Sequence, residues 1–169
     1  MFKLGCRKNF KKVWMMIGFG YDSHRLVQGR KLFLGGILID EEFGPIAHSD
    51  GDVVIHSLID AILGALGKGD IGEFFPDSEP KYKDISSVLL LQEIVALLKN
   101  SGHSIVNIDI TIVFERKKLG DFKQQIRENI ANICGIQPEF VNVKAKTNEK
   151  MGFIGRGEGI LAFSVCQIQ

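Results

Sequence analysis

Between residues 31 and 39 a strand-like run is broken at its centre by Gly35-Gly36. Paired glycines there signal a hairpin or a bulge, and strands joined by so short a turn are antiparallel. Strands and helices otherwise interleave along the chain, so a purely parallel sheet is excluded. The expected architecture is α+β, a mixed sheet with helices packed on one face.

The remaining segments fit that plan. Residues 17–22 read as a first strand, 44–51 as a loop, and Asp52 to about Leu66 as a helix. In that helix Val53, Ile55, Leu58, Ile59, Ile62 and Leu63 fall on one broad face. Residues 67–84 form a long irregular loop, of the kind that is often functional in compact domains. A second helix covers 86–99 and a strand covers 105–114. In the strand Val106, Ile108, Ile110, Ile112 and Phe114 share one face, with Asn107, Asp109 and Thr111 on the other. Asp121 is the expected cap of a third helix, in which Phe122, Ile126, Ile130 and Cys134 recur every four residues until Gly135 and Pro138 stop it. A strand over 140–145, a glycine-rich loop over 146–159 and a last strand over 160–168 complete the chain.

With 169 residues the chain holds one ordinary domain, expected over residues 16–169. It has 21 basic and 20 acidic residues, but five of the basic ones (Lys3, Arg7, Lys8, Lys11 and Lys12) lie in the first 14 positions, where no acid occurs. The rest has 16 basic against 20 acidic residues, which argues against nucleic acid as a partner. No apolar run is long enough for a membrane span. Residues 1–15 contain no serine, no apolar signal core and no amphipathic stripe. They are read as a disordered extension or an upstream start, in preference to the transit peptide of a plastid-type organelle. Three scattered cysteines and no Cys-x-x-Cys pair fit a reducing, cytoplasmic setting.

Chemistry concentrates in three places. In Asp22-Ser23-His24, on a strand, the acid and the imidazole share one face. His56 lies one turn into the first helix with Asp60 at i+4, placed to orient its ring. Two histidines and a carboxylate that leave room for substrate make a catalytic zinc set. The ordinary alternative is that Asp22 caps a turn and His56 is a satisfied core residue. Second, His48-Ser49-Asp50-Gly51-Asp52 leads into a helix, whose free N–H groups attract phosphate; equally, Asp50 or Asp52 is an ordinary cap. Third, residues 144–159 carry several lysines, Glu149 and a glycine every two or three residues. Glycine permits close backbone approach to a ligand, and a glutamate suits Mg²⁺ bridging phosphates. No Walker loop is present.

Asp22-Ser23-His24, the 48–52 segment with His56 and Asp60-Ala61, Gly69-Asp70-Ile71-Gly72 with Phe75-Pro76-Asp77, and Gly152-Phe153 through Gly159 occur in one order. Together they closely resemble the 2-C-methyl-D-erythritol 2,4-cyclodiphosphate synthases of the non-mevalonate isoprenoid pathway, over about residues 16–168. The resemblance implies a cyclising lyase that converts 4-diphosphocytidyl-2-C-methyl-D-erythritol 2-phosphate to the cyclic diphosphate and CMP. It implies Zn²⁺ on Asp22, His24 and His56, and Mg²⁺ or Mn²⁺ on Glu149. His48 and Thr147 become the catalytic positions, and Ser49 joins His48 on phosphate. Asp70 and Gly72, with Ile71 between them, would meet the ribose, and Phe75, Pro76, Asp77, Ser78 and Glu79 the methylerythritol moiety. Lys118, Lys146, Thr147, Asn148 and Glu149 would form the nucleotide side. A homotrimer is implied, with sites at its interfaces and Phe153 and Arg156 near an axial channel able to take a prenyl diphosphate. Lys146 and Asn148 stand where many members carry threonine, and Arg116-Lys117 replace an alanine-proline pair near the cytosine pocket. Two other readings stay open: a metal-dependent phosphohydrolase, and a non-catalytic trimer that binds prenyl diphosphate.

Overall fold

A computed structural model describes residues 14–169. The expectation of a disordered extension lies outside the described residues up to position 13; Trp14 and Met15 are exposed. The first strand, β1, runs Met16–Gln28, more than twice the length expected from 17–22. Its polar stretch Asp22-Ser23-His24-Arg25 hides it from a hydrophobicity pattern, and pairing on both sides holds it extended. Met16 through Arg25 pair antiparallel with β7 (Gly159–Ile168). Leu26, Val27 and Gln28 pair with β4 (Phe43–Pro45), which takes Gly44 and Pro45 from the expected loop.

The five-stranded sheet has the order β4-β1-β7-β5-β6, with β5 at Ile105–Val113 and β6 at Val141–Lys146. Every pairing is antiparallel except β5 with β6. That parallel pair is joined by the crossover helix α4 (Lys123–Cys134). The hairpin read from Gly35-Gly36 is present as β2 (Leu32–Leu34) and β3 (Ile37–Asp40). Helix α1 (Val53–Leu66) packs on β1 and β7, α4 packs on β6, and α3 (Ser87–Asn100) lies against both helices. The opposite sheet face carries Ile17, Phe19 and Tyr21 from β1 and Val165 from β7, all exposed. This is the expected mixed sheet with its helices on one side.

The close seating of α1 on β1 depends on two glycines. Gly18 and Gly20 alternate with the exposed Ile17, Phe19 and Tyr21. A Cβ at Gly18 would stand 1.8 Å from the Ala61 carbonyl oxygen, and one at Gly20 would stand 1.9 Å from that of Ser57. The start of α1 is fixed by Asp52, which is fully buried. Its carboxylate accepts the N–H groups of Val54 and Ile55 at 3.1 Å, and those of Gly35 and Gly36 at 2.9 and 2.7 Å. One side chain thus caps the helix and docks the β2–β3 turn; such a cap is worth about 1 kcal/mol. Burial pushes the Asp52 carboxyl above its ordinary range, against the pull of these donors.

Three local expectations are corrected. Asp121 does not cap α4: it lies in a 3₁₀ turn over Gly120–Phe122, and Phe122 takes the cap position with no side-chain bond. A register shift between Ile105 and Asn107 buries Ile105 and leaves Val106 half-buried, so strict alternation holds only from Ile108. The loops over 67–84 and 146–159 each contain a short helix, α2 (Ile71–Phe74) and α5 (Gly152–Gly155). Among the described residues no helix is long and apolar enough to cross a membrane.

Candidate active site and metal centre

The metal set read from the sequence comes together at the β1–α1 contact. Asp22 and His24 lie two residues apart on β1, and α1, pressed onto Gly20, brings His56 over them. Asp22 Oδ2 lies 3.0 Å from His56 Nδ1 and 3.2 Å from His24 Nε2, and the two ring nitrogens are 3.5 Å apart. One carboxylate oxygen and two imidazole nitrogens within 4.8 Å of one another form a group able to hold a metal ion. The other Asp22 oxygen accepts the Ser23 N–H at 2.8 Å, which steadies the carboxylate. Burial opposes ionisation of Asp22, but its hydrogen bonds to His24 and His56 outweigh burial and hold its carboxyl far below the ordinary range. Burial likewise works against the charged form of His56, yet Asp22 beside it raises the imidazole above its ordinary value.

The second nitrogen of His56 has partners that the sequence did not reveal. Nε2 lies 2.9 Å from Ser87 Oγ at the start of α3 and 3.2 Å from Ser49 Oγ. Ser87 donates its hydroxyl to Asp50 Oδ1 and its backbone N–H to Asp50 Oδ2 at 2.9 Å. Asp50 therefore serves α3, while Asp52 caps α1. The orienting role expected of Asp60 is not observed. Its carboxylate accepts the Ile71 N–H at 2.8 Å and anchors α2. At i+4 it shares the helix face of His56, but both ring nitrogens are already engaged, Nδ1 at Asp22 and Nε2 at Ser87.

A cleft of about 400 Å³ opens over the metal set. His48, Ser49, Ile71, Gly72, Phe75 and Asp77 line it with Asp22, His24 and His56, as do Ile46, Tyr82 and Leu90, which sequence reasoning did not single out. His48 lines the cleft, and its Nε2 is buried with no hydrogen-bond partner among the described residues. Asp70 caps α2, accepting the Glu73 N–H at 3.1 Å, next to this wall. Pro76, Ser78 and Glu79 follow in the same segment but do not line the cleft; Glu79 pairs with Lys81 at 2.6 Å.

The other expected residues lie elsewhere in the chain. Lys118, Lys146, Thr147, Asn148, Glu149, Phe153 and Arg156 are absent from the cleft lining. Thr147 donates to Glu149 Oε1 at 2.5 Å, and the Asn148 N–H donates to Glu115 Oε2 at 2.9 Å. Glu149 and Lys150 both hold positive φ, 50° and 62°, a sparsely populated conformation for residues with side chains. Arg156 is paired with Glu158 through two bonds of 2.8 and 3.1 Å on the surface. Arg116 stacks on Phe43 at 3.8 Å, and Lys117 donates to the Ile39 carbonyl at 2.6 Å. Both side chains therefore clasp the β3–β4 edge.

Over nearly its whole described length the chain is similar to known proteins. The chain is 52% identical over 151 residues to the 2-C-methyl-D-erythritol 2,4-cyclodiphosphate synthase of Syntrophotalea carbinolica, a match covering 89% of this chain and 92% of that one. It is 50% identical over 152 residues to the bifunctional enzyme IspD/IspF of Aliarcobacter butzleri, covering 90% of this chain but only 41% of that longer protein. The solved structure of Plasmodium falciparum IspF in complex with CDP superposes with a TM-score of 0.80 at 34% identity, covering 91% of this chain and 95% of that one. The YgbB family model matches residues 15–169. By that match and these relatives, the chain belongs to the YgbB family, that of the 2-C-methyl-D-erythritol 2,4-cyclodiphosphate synthases.

Proposed function

We infer that the chain converts 4-diphosphocytidyl-2-C-methyl-D-erythritol 2-phosphate to 2-C-methyl-D-erythritol 2,4-cyclodiphosphate and CMP. An oxygen of the 2-phosphate forms a bond to the β-phosphorus, and the bond from that phosphorus to the bridging oxygen breaks as CMP departs. No protein nucleophile is needed. The demands are alignment of the two phosphates and neutralisation of their charge. The observation that carries the reading is the Asp22–His24–His56 cluster at the floor of a cleft whose wall holds an unsatisfied His48 nitrogen.

The residues fit a metal. Two imidazoles and one carboxylate are a zinc donor set, and an open cleft beside them leaves room for a substrate oxygen. Zinc bound there supplies Lewis-acid polarisation of a phosphoryl oxygen. His48, on the cleft wall, would offer its imidazole to a phosphate oxygen. Phe75, Ile71 and Leu90 give part of the cleft an apolar lining. Glu149, a hard oxygen donor, would hold Mg²⁺ or Mn²⁺, which would neutralise phosphate charge, with Thr147, Lys146, Asn148 and Lys118 on the nucleotide side.

That nucleotide half does not line the same cleft within one chain, which supports a homotrimer whose sites join two subunits. The exposed apolar sheet face, with Phe19 62% and Ile17 68% exposed, supports burial against other copies. Phe153 and Arg156 then stand near the trimer axis, where Arg156 would exchange Glu158 for an anion such as a prenyl diphosphate. The Syntrophotalea carbinolica and Aliarcobacter butzleri relatives support a bacterial setting, for which a cytoplasmic location is proposed.

Mass analysis of the product formed with Zn²⁺ and Mg²⁺ tests the reading. Cyclic diphosphate and CMP in equal amounts are expected. Inorganic phosphate in place of the cyclic product would make the protein a phosphohydrolase.

A further inference from the structure

We propose that Ser87 and Asp50 are positioning residues that lock the His56 ring so that Nδ1 is its metal-facing atom. The inference rests on the reading of Asp22, His24 and His56 as a metal set. It follows from counting protons along one chain of contacts. The Asp50 carboxylate can only accept, and it receives both the Ser87 hydroxyl and the Ser87 N–H. The single hydroxyl proton of Ser87 is thereby committed. Toward His56, 2.9 Å away, Ser87 Oγ has only lone pairs to offer. Ser49 Oγ, 3.2 Å from the same nitrogen and accepting the Gly51 N–H, is the longer contact, so the nearer Ser87 lone pairs call for a proton on His56 Nε2. That leaves Nδ1 of the neutral ring with its lone pair directed at Asp22 and His24. Turning the ring over would set carbon atoms against both the carboxylate and the hydroxyl.

The relay is held from both ends. The Asp50 N–H donates to the Ile85 carbonyl at 3.1 Å, and the Asp84 N–H donates to the His48 carbonyl at 2.8 Å. The segment before α3 is thus tied to the segment before α1, and Ser87, fully buried, has no freedom to turn away. A metal ligand on α1 is in this way set by the first residue of a different helix, 31 positions on.

The test uses the full chain. Zinc affinity is measured by competition with a chromophoric chelator for the wild type, Ser87→Ala and Ser87→Thr. Ser87→Ala keeps the backbone N–H on Asp50 and removes only the hydroxyl; zinc should bind roughly 10- to 100-fold more weakly. Ser87→Thr restores the hydroxyl and should return affinity to within a few-fold. In the wild type with zinc, ¹⁵N chemical shifts of His56 should show a protonated Nε2 and a metal-bound Nδ1. Wild-type zinc affinity in Ser87→Ala, a loss that threonine does not repair, or an Nε2 without its proton would each overturn the proposal. If the variants do not fold, the wild-type spectrum decides alone. A wild-type chain that binds no zinc would instead remove the metal reading itself.

Discussion

The Ser57 carbonyl oxygen lies so close to Gly20 that a Cβ on the glycine would stand 1.9 Å from it. This contact brings His56, one residue before Ser57, within 3.0 Å of Asp22, two residues after Gly20. Gly20→Ala must therefore lift α1 from β1. It should cost about 3 kcal/mol, the upper part of the range for overpacked cores. Both melting temperature and zinc affinity should fall. A variant with wild-type melting and full zinc would show that the helix can retreat without moving the site.

His56→Ala leaves Asp22 and His24 as a two-ligand remnant. It should lose stoichiometric zinc and at least about two orders of magnitude in turnover. Asp60→Asn should retain zinc at wild-type affinity, because Asp60 holds α2 through the Ile71 N–H and an asparagine oxygen can accept the same bond. Elemental analysis of the two purified variants separates them; a clear zinc deficit in Asp60→Asn would return that residue to the metal's surroundings.

In the metal-free protein Asp22 and His56 stabilise each other's charged forms. Asp22 ionises in the fold well below its ordinary 3.8, so its contribution to stability is complete above that value and is lost as pH falls through the folded one. His56 keeps its proton beyond its ordinary 6.5, so its contribution is complete below 6.5 and is lost as pH rises through the raised value. The two overlap between about 4 and 6.5. After chelation, the melting advantage of wild type over Asp22→Asn should peak in that window. Saturating zinc should carry the advantage to higher pH, because the cation takes the place of the proton on Nδ1. An advantage flat from pH 4 to 9 without metal would dismiss the coupling.

Mixed assemblies test the division of the site. His56→Ala and Glu149→Ala chains, each inactive, are unfolded and refolded together at equal ratio. If each site takes one half from each of two neighbours in a closed ring, about a quarter of sites receive both intact halves. Activity that stays at the level of the separate variants, with mixed trimers proven by mass, would place each site within one subunit.

The Asp22–His24–His56 cluster was legible because Asp22-Ser23-His24 and His56 fall at spacings that strand and helix geometry turn into one face and one turn. The helix boundaries at Asp52, Gly67 and Gly135 were legible for the same local reason, since caps act through neighbouring N–H and carbonyl groups. What escaped was set by distance along the chain. Ser87 meets His56 across 31 residues, and its serine looks like any helix start. The full length of β1 comes from pairing with β7 and β4, and no window around residues 23–28 carries that information. Asp60 shows the reverse error: a correct helical spacing, with the carboxylate drawn instead to the Ile71 N–H.

The last strand of the chain is the middle strand of its sheet. β7 lies between β1 and β5, with Met16 opposite Ile168. During synthesis, β1 and α1 emerge with Asp22, His24 and His56, but β7, the partner that holds β1 extended, follows every other strand. The sheet cannot close until β7 has left the ribosome, and such long-range closure is slow. Until then the apolar edges of β1 and β5 stand open to other chains. Loss of even a few residues of β7 would therefore damage the folding yield before it damaged the chemistry.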